Sequence, residues 1–207
     1  MNIILHPTYF PNVAHFAAML YANEITLEMD DNYQKQTYRN RTFVYGANGR
    51  LQLSIPIIHS QKNRQKYRDI KIHKTENWQI VHWKSLESAY RTSPYFEFYE
   101  DEIRPLFTQE TGFLLDFNIN CFNVICDCLQ LELNTTKTKT YQKNVEGQTD
   151  FRHLVNARKE TAFSFDSYTQ VFGDKHGFIS NLSILDLLFN EGPNAIQYLE
   201  SQFKHLS

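Results

Sequence analysis

Residues 2–11, Asn2-Ile3-Ile4-Leu5-His6-Pro7-Thr8-Tyr9-Phe10-Pro11, decide the fold: a short apolar strand runs straight into a proline-bounded turn. Residues 12–22 follow with Val13, Phe16, Ala17, Leu20 and Tyr21 at three- and four-residue steps, the stripe of an amphipathic helix. Pro11 suits the first turn of that helix, where a missing N–H costs nothing. Residues 24–29 read as a second strand, with Ile25, Leu27 and Met29 on one face. Strand, helix and strand in this order predict a βαβ-type unit, which collects ligands at the carboxyl ends of its strands. Those ends carry His6, then Asp30-Asp31 and the polar run to Arg39-Asn40-Arg41.

Beyond this unit, residues 42–45 and 51–57 are β-rich and joined by Gly46-Ala47-Asn48-Gly49, a hairpin signal. Residues 60–68 form a polar, basic loop, and 69–73 a further strand. From Asn77, a suitable N-cap, the period turns helical: Trp78, Val81, His82, Ser85, Leu86 and Ala89 share a face. Residues 95–107, 113–131, 182–189 and 194–203 predict four more helices. Residues 135–141 are a polar β-like run, 144–150 a loop and candidate boundary, and 163–177 irregular and aromatic. The predicted class is α/β, with α+β as the alternative. One domain spans residues 1–207: a strand-rich part (1–74), whose βαβ unit and hairpin form a mixed sheet, and a helix-rich part (75–207) that covers it.

Composition narrows the setting. At 207 residues and 42% hydrophobic, the chain can bury a full core. The longest apolar-rich stretch, residues 113–133, is broken by Asp116, Asn118, Asn120, Asn123, Asp127 and Gln130, well short of the ~18 uninterrupted apolar residues of a membrane span. No basic-apolar leader is expected at the start. Cys121, Cys126 and Cys128 are three and clustered, which argues against a disulfide framework and for a cytoplasmic home. The net charge is −2, yet residues 35–74 hold ten Lys/Arg against the single acid Asp69. That asymmetry suits an anionic partner; a solvated basic loop is the plainer alternative.

Three stretches together resemble the WbqC-like protein family of bacterial surface-polysaccharide gene clusters. The first is His6-Pro7-Thr8-Tyr9-Phe10-Pro11 with Asp30-Asp31 and Tyr38-Arg39-Asn40-Arg41. The second is Leu53 to Pro56 with Trp78, His82, Tyr90, Pro94, Tyr95 and Phe96. The third is Asn181-Leu182-Ser183-Ile184-Leu185-Asp186-Leu187-Leu188-Phe189-Asn190 with Gly192. The chain departs from the family at His6, where many members carry Gln, and is short between Thr140 and Tyr168. The resemblance implies a transferase that moves an aminoacyl (glycyl) group to an amino sugar of an O-antigen-like glycan.

Such a transfer needs a base for the amine proton, donors for the oxyanion and a cradle for an anionic carrier. His6 and His82 are the candidate bases; a strand-end surface imidazole and a helix-packing histidine are the structural alternatives. Arg39 and Arg41, two apart, share a face of an extended strand and could fork onto one phosphate or carboxylate, or pair with Asp30 or Asp31. Tyr9, Asp30, Asn40, Trp78 and Tyr90 complete the candidate substrate-binding set, the aromatics by stacking, unless they are core. Neighbouring Asp30 and Asp31 would point apart on a strand, and Cys126 and Cys128 diverge by about 200° on a helix, so no metal is expected. Walker, dinucleotide and Gly-x-Ser-x-Gly motifs are missing, and no cofactor is expected. The strand–turn–helix start, with Thr8 in the turn and His15 on the helix, is faintly similar to nucleotidyl-transfer enzymes, without their two-His spacing.

The expected partner is an anionic small molecule or carrier-linked substrate, aminoacyl-tRNA being one form of it, rather than DNA. The rival reading is a non-enzymatic accessory protein of envelope assembly, with residues 182–203 and exposed aromatics as its partner surface.

Overall fold

A computed structural model describes residues 1–59, 64–74 and 77–206. Strand β1 (Asn2–Leu5) enters the interior at once, with Ile3, Ile4 and Leu5 buried. The turn after it takes Phe10 to a left-handed φ of 42°. Helix α1 (Val13–Leu20) begins at Asn12, whose side chain accepts from the His15 N–H at 3.1 Å. That supplies an acceptor the first turn otherwise lacks. Pro11 sits just before this cap rather than within the first turn, and its carbonyl accepts from Ile184 N–H at 2.8 Å. Residues Val13 to Met19 are all buried, so α1 is enclosed rather than half-exposed.

Strand β2 (Glu24–Leu27) runs parallel to β1 in the register Ile3↔Ile25 and Leu5↔Leu27. The hairpin follows as β3 (Arg41–Gly46) and β4 (Gly49–Ser54), closed by Gly46↔Gly49 with Gly49 at φ 97°, where glycine carries no Cβ penalty. The pair β5 (Ile57–Ile58) and β6 (Lys71–Ile72) is short and antiparallel. Helices α2 (Trp78–Tyr90), α3 (Phe96–Ile103) and α4 (Leu114–Cys128) come next. Asn77 takes the N-cap position of α2, but its side chain makes no capping bond. The chain then returns to the first sheet through β7 (Thr135–Lys137) and β8 (Thr149–Asp150), and ends with α5 (Gly173–His176), α6 (Ile184–Glu191) and α7 (Ala195–Gln202).

The fold is α/β. Its main sheet has four parallel strands in the order β7-β2-β1-β8, and the hairpin stands as a separate two-stranded sheet. The apolar β1 and β2 are central. The polar β7 and β8 take the edges, where exposed side chains are tolerated. The expected loop over 144–150 thus contributes an edge strand. Residues 60–63, which include Lys62 of the expected basic loop, and residues 75–76 lie outside the described residues.

Residues 182–190, the first part of the partner surface that the accessory reading expected, are interior; within 191–203, Pro193, Asn194, Gln197, Glu200 and Ser201 are exposed. Leu182 and every residue of α6 from Ile184 to Asn190 are buried. A helix apolar nearly all round belongs inside a core. Its buried carboxylate, Asp186, accepts from Tyr90 Oη (2.7 Å), Tyr168 Oη (2.6 Å) and Gln170 Nε2 (2.8 Å). Burial still pushes its pKa upward. Gly192 ends α6 at φ 53°, with the Tyr95 ring 2.6 Å from where a Cβ would stand. A single cluster of buried hydrophobic side chains runs from Ile3 to Leu199.

Candidate functional site

All four parallel strands end on the same side of the sheet, and polar groups gather there. His6 follows β1; Glu28, Asp30 and Asp31 follow β2; Thr138 follows β7; Arg152 follows β8. A polar cavity of about 360 Å³ opens beyond the ends of β1 and β8, lined in part by His6, Asp31, Arg39, Lys143, Asp150 and Arg152. The carboxyl edge of a parallel sheet is where α/β folds place ligands.

Three of its groups form a chain. Asp31 Oδ2 accepts from Arg39 Nη2 at 2.6 Å and lies 3.0 Å from His6 Nε2. Burial works to raise the Asp31 carboxyl, but the His6 hydrogen bond and the Arg39 charge outweigh it and hold its pKa below the ordinary value. Burial, helped by the Arg39 charge, lowers the His6 pKa to about 4 against the opposing pull of Asp31. At neutral pH, His6 is therefore uncharged beside an ionised carboxylate. The carboxylate can only accept, so the ring proton sits on Nε2 and Nδ1 carries the lone pair. Nδ1 is buried and has no hydrogen-bond partner.

Arg39 is fully buried, and burial pulls its pKa down from the ordinary value. Nε and Nη1 lack partners, so their three N–H groups are unspent. Its backbone carbonyl accepts from Asn118 Nδ2, which also donates to Tyr67 Oη, and the Tyr67 ring lies 5.2 Å from the guanidinium carbon. Tyr67 Oη in turn donates to the Pro7 carbonyl at 2.9 Å. Helix α4 thereby braces both sides of the site. Arg152 donates to Asp150 Oδ2 at 2.6 Å and to the carbonyls of Gln142 (2.7 Å) and Lys143 (2.9 Å). The Asp150 hydrogen bond holds its pKa above the ordinary value.

The other residues singled out in the sequence lie elsewhere. Arg41, the first residue of β3, is not among the residues lining this cavity, whereas Arg39 precedes the strand and turns to Asp31; both charges reach the Tyr33 hydroxyl. Asp30 pairs with Lys66 and Arg68, each at 2.9 Å. Asn40 accepts from Tyr33 Oη at 3.0 Å and donates to the Ile55 carbonyl at 3.1 Å. His82 is buried, and its pKa falls to about 4 through that burial. Tyr9 Oη lies 2.8 Å from His82 Nδ1 and the Ser54 backbone engages the same ring, so His82 is not left with an orphaned nitrogen. Trp78 packs edge-on against His82 and Phe117. Tyr90 belongs to the Asp186 network and accepts from Tyr45 N–H at 2.8 Å.

Sequence reasoning missed Lys143, Asp150 and Arg152. Their only signal was Arg152 two positions after Asp150, the last residue of the segment 144–150 read as a loop. Among the described residues, no group of three or more His, Cys, Asp or Glu is placed to hold a metal ion, and no helix is long and apolar enough to cross a membrane.

A model of the WbqC-like protein family matches residues 6–164 and 160–198. An uncharacterised protein of Mycobacterium tuberculosis, Rv1507c, is 26% identical over 226 residues, spanning 95% of this chain and 96% of that protein. No solved structure matches the chain.

Proposed function

The chain belongs to the WbqC-like protein family, and from that footing we propose that it is a transferase. It moves an aminoacyl group, glycyl in the first instance, from an anionic activated donor to the amine of an amino sugar in surface-polysaccharide assembly. The single observation that supports the reading is the unpartnered Nδ1 of a neutral His6, oriented by Asp31 beside a cavity lined by Arg39, Lys143 and Arg152. The amine lone pair attacks the acyl carbon, and the bond to the carrier breaks with its electron pair leaving on the carrier. His6 Nδ1 takes the proton from the attacking nitrogen. Arg39, Lys143 and Arg152 hold the anionic carrier, and free N–H donors on Arg39 are suited to charge that builds on oxygen.

The test incubates the protein with glycyl-tRNA or a glycyl thioester and glucosamine, and reads the glycylated sugar by mass spectrometry. Product is expected, and His6→Ala should cut its rate about 10²–10⁴-fold. An unchanged rate in His6→Ala would overturn the assignment of the base. The accessory-protein reading has one observation of its own. Val81 (58% exposed) and Leu51 (37% exposed) line a groove beside the hairpin. Under that reading His6→Ala is silent, whereas Val81→Ser breaks a complex.

A further inference from the structure

A second cavity, of about 260 Å³, lies on the other side of the segment that walls the first. Its floor is the sheet itself: Ile4 and Thr26 are cross-strand partners, and Glu28 follows two residues on along the β2 path. Its roof is drawn from residues 138–148. Tyr141 and Lys143 line the first cavity, while Gln142 between them lines the second. Between the two linings, Arg152 Nη1 of the first lies 3.6 Å from Glu28 Oε2 of the second.

Glu28 is an unusual side chain to find there. It is fully buried. Oε1 accepts from Asp30 N–H at 2.9 Å and Thr138 Oγ1 at 2.8 Å. Oε2 has no hydrogen-bond partner; Arg152 Nη1 forms an ion pair with it at 3.6 Å but does not donate to it. A buried carboxylate oxygen left without a donor is costly unless something donates to it. The rest of the lining is mostly short hydroxyls and amides: Thr26, Thr138, Thr140, Gln142 and Gln148. Its charged members are Glu28, Glu146 and Lys139, so acids outnumber bases. In the first cavity the count runs the other way, with Arg39, Lys143 and Arg152 against Asp31 and Asp150. The first suits an anion. The second suits a hydroxyl-rich ligand that carries a positive charge.

We propose that this second cavity is the acceptor site: it binds a polyhydroxylated ring bearing a primary ammonium, with Glu28 Oε2 accepting from the ammonium at the boundary between the two cavities. The inference rests on the transferase reading for the word acceptor, and concerns binding alone. Glu146 adds attraction at the rim, and the threonine and glutamine side chains take the ring hydroxyls. Charge-assisted pairing to the ammonium makes the amine, rather than the ring, the discriminating group.

Calorimetric titration of the full chain with glucosamine, with glucose as control, tests the site directly. Glucosamine is expected to bind at least about tenfold more tightly than glucose. Glu28→Gln keeps an oxygen for Asp30 and Thr138 and should erase that preference, and Glu146→Gln should reduce it. Equal binding of the two sugars, or a preference untouched by both variants, would overturn the proposal. Should Glu28→Gln fail to fold by circular dichroism, Glu146→Gln with Gln148→Ala carries the same test from the rim. Pyrophosphate titrated in parallel reports the first cavity. If pyrophosphate binds and depends on Arg39 while the amine preference is missing, the acceptor site fails and the donor reading stands. If the amine preference appears without pyrophosphate binding, the donor reading fails and the second site stands.

Discussion

His6 Nε2 and Asp31 Oδ2, 3.0 Å apart, fix which ring nitrogen of His6 carries the proton. An ionised carboxylate cannot donate, so the lone pair is confined to Nδ1. Asp31→Asn would let an amide N–H face Nε2 and drive the proton to the other nitrogen. Turnover should drop about 10²–10⁴-fold with KM little changed. A fall in affinity with kcat intact would refute this role. Once the titration of the acceptor amine is allowed for, the wild-type rate should show no loss from His6 protonation at pH 6.5, that loss coming only near the His6 pKa of about 4.

Acid should unfold the protein through its histidines before its carboxylates are protonated. Burial lowers the pKa of His6 to about 4, His15 to about 3 and His82 to about 4, from 6.5. In each case the unfolded chain binds the proton more readily. The stability they contribute is therefore complete above pH 6.5 and lost progressively as pH falls towards these values. Each group adds up to ~1.4 kcal/mol per pH unit within that window. Asp186, with its raised pKa, works in the opposite sense. Urea midpoints measured from pH 7 to pH 4 should drop steadily; a flat series would show that these rings are not buried neutral.

Arg39 and Arg41 should part company in an anion titration. Arg39→Lys keeps a charge but loses the fork, and pyrophosphate affinity should fall about tenfold. Arg41→Ala should leave it unchanged, since Arg41 lies outside the cavity lining. Equal losses from both would mean that the anion sits elsewhere.

Asp186→Asn should be costly although it removes only a charge and one acceptor. Tyr90, Tyr168 and Gln170 all donate to this carboxylate, and an asparagine NH2 would face donors. A loss of about 2–4 kcal/mol is expected in chemical denaturation. A neutral result would imply that the carboxyl is already protonated.

Gly192→Ala combines two penalties, a φ of 53° and a Cβ placed 2.6 Å from the Tyr95 ring. The variant should lose about 2–4 kcal/mol and several degrees of Tm. Adding Tyr95→Ala should not restore it, because the backbone strain persists and the ring's own packing is gone. An unaltered melt for Gly192→Ala would refute the clash.

Much of the architecture is legible locally. Apolar residues 3–5, the stripe after Pro11 and the glycines at 46 and 49 announce β1, α1 and the hairpin without knowledge of the rest. His6 and the Asp30-Asp31 pair stand out because strand ends attract polar function, although the sequence points to Asp30 as the binding residue and the cavity uses Asp31. The other half of the cavity was hidden. β8 is two exposed residues, and only its parallel pairing with Ile3 and Ile4 puts Asp150 and Arg152 beside His6. Polarity marks such a segment as loop, and no local pattern reveals a partner nearly 150 positions away. The aromatics misled for a related reason. Tyr9 and Tyr90 look like stacking platforms in sequence, but the enclosing helices bury them and the core uses their hydroxyls.

Arg152 moors residues 142 and 143 by their carbonyls, so one side chain does what a run of backbone ladder bonds would otherwise do. The stretch between β7 and β8 is thus a detachable awning over a fixed doorway. Insertions or deletions there can change what enters while the strands beneath keep their register.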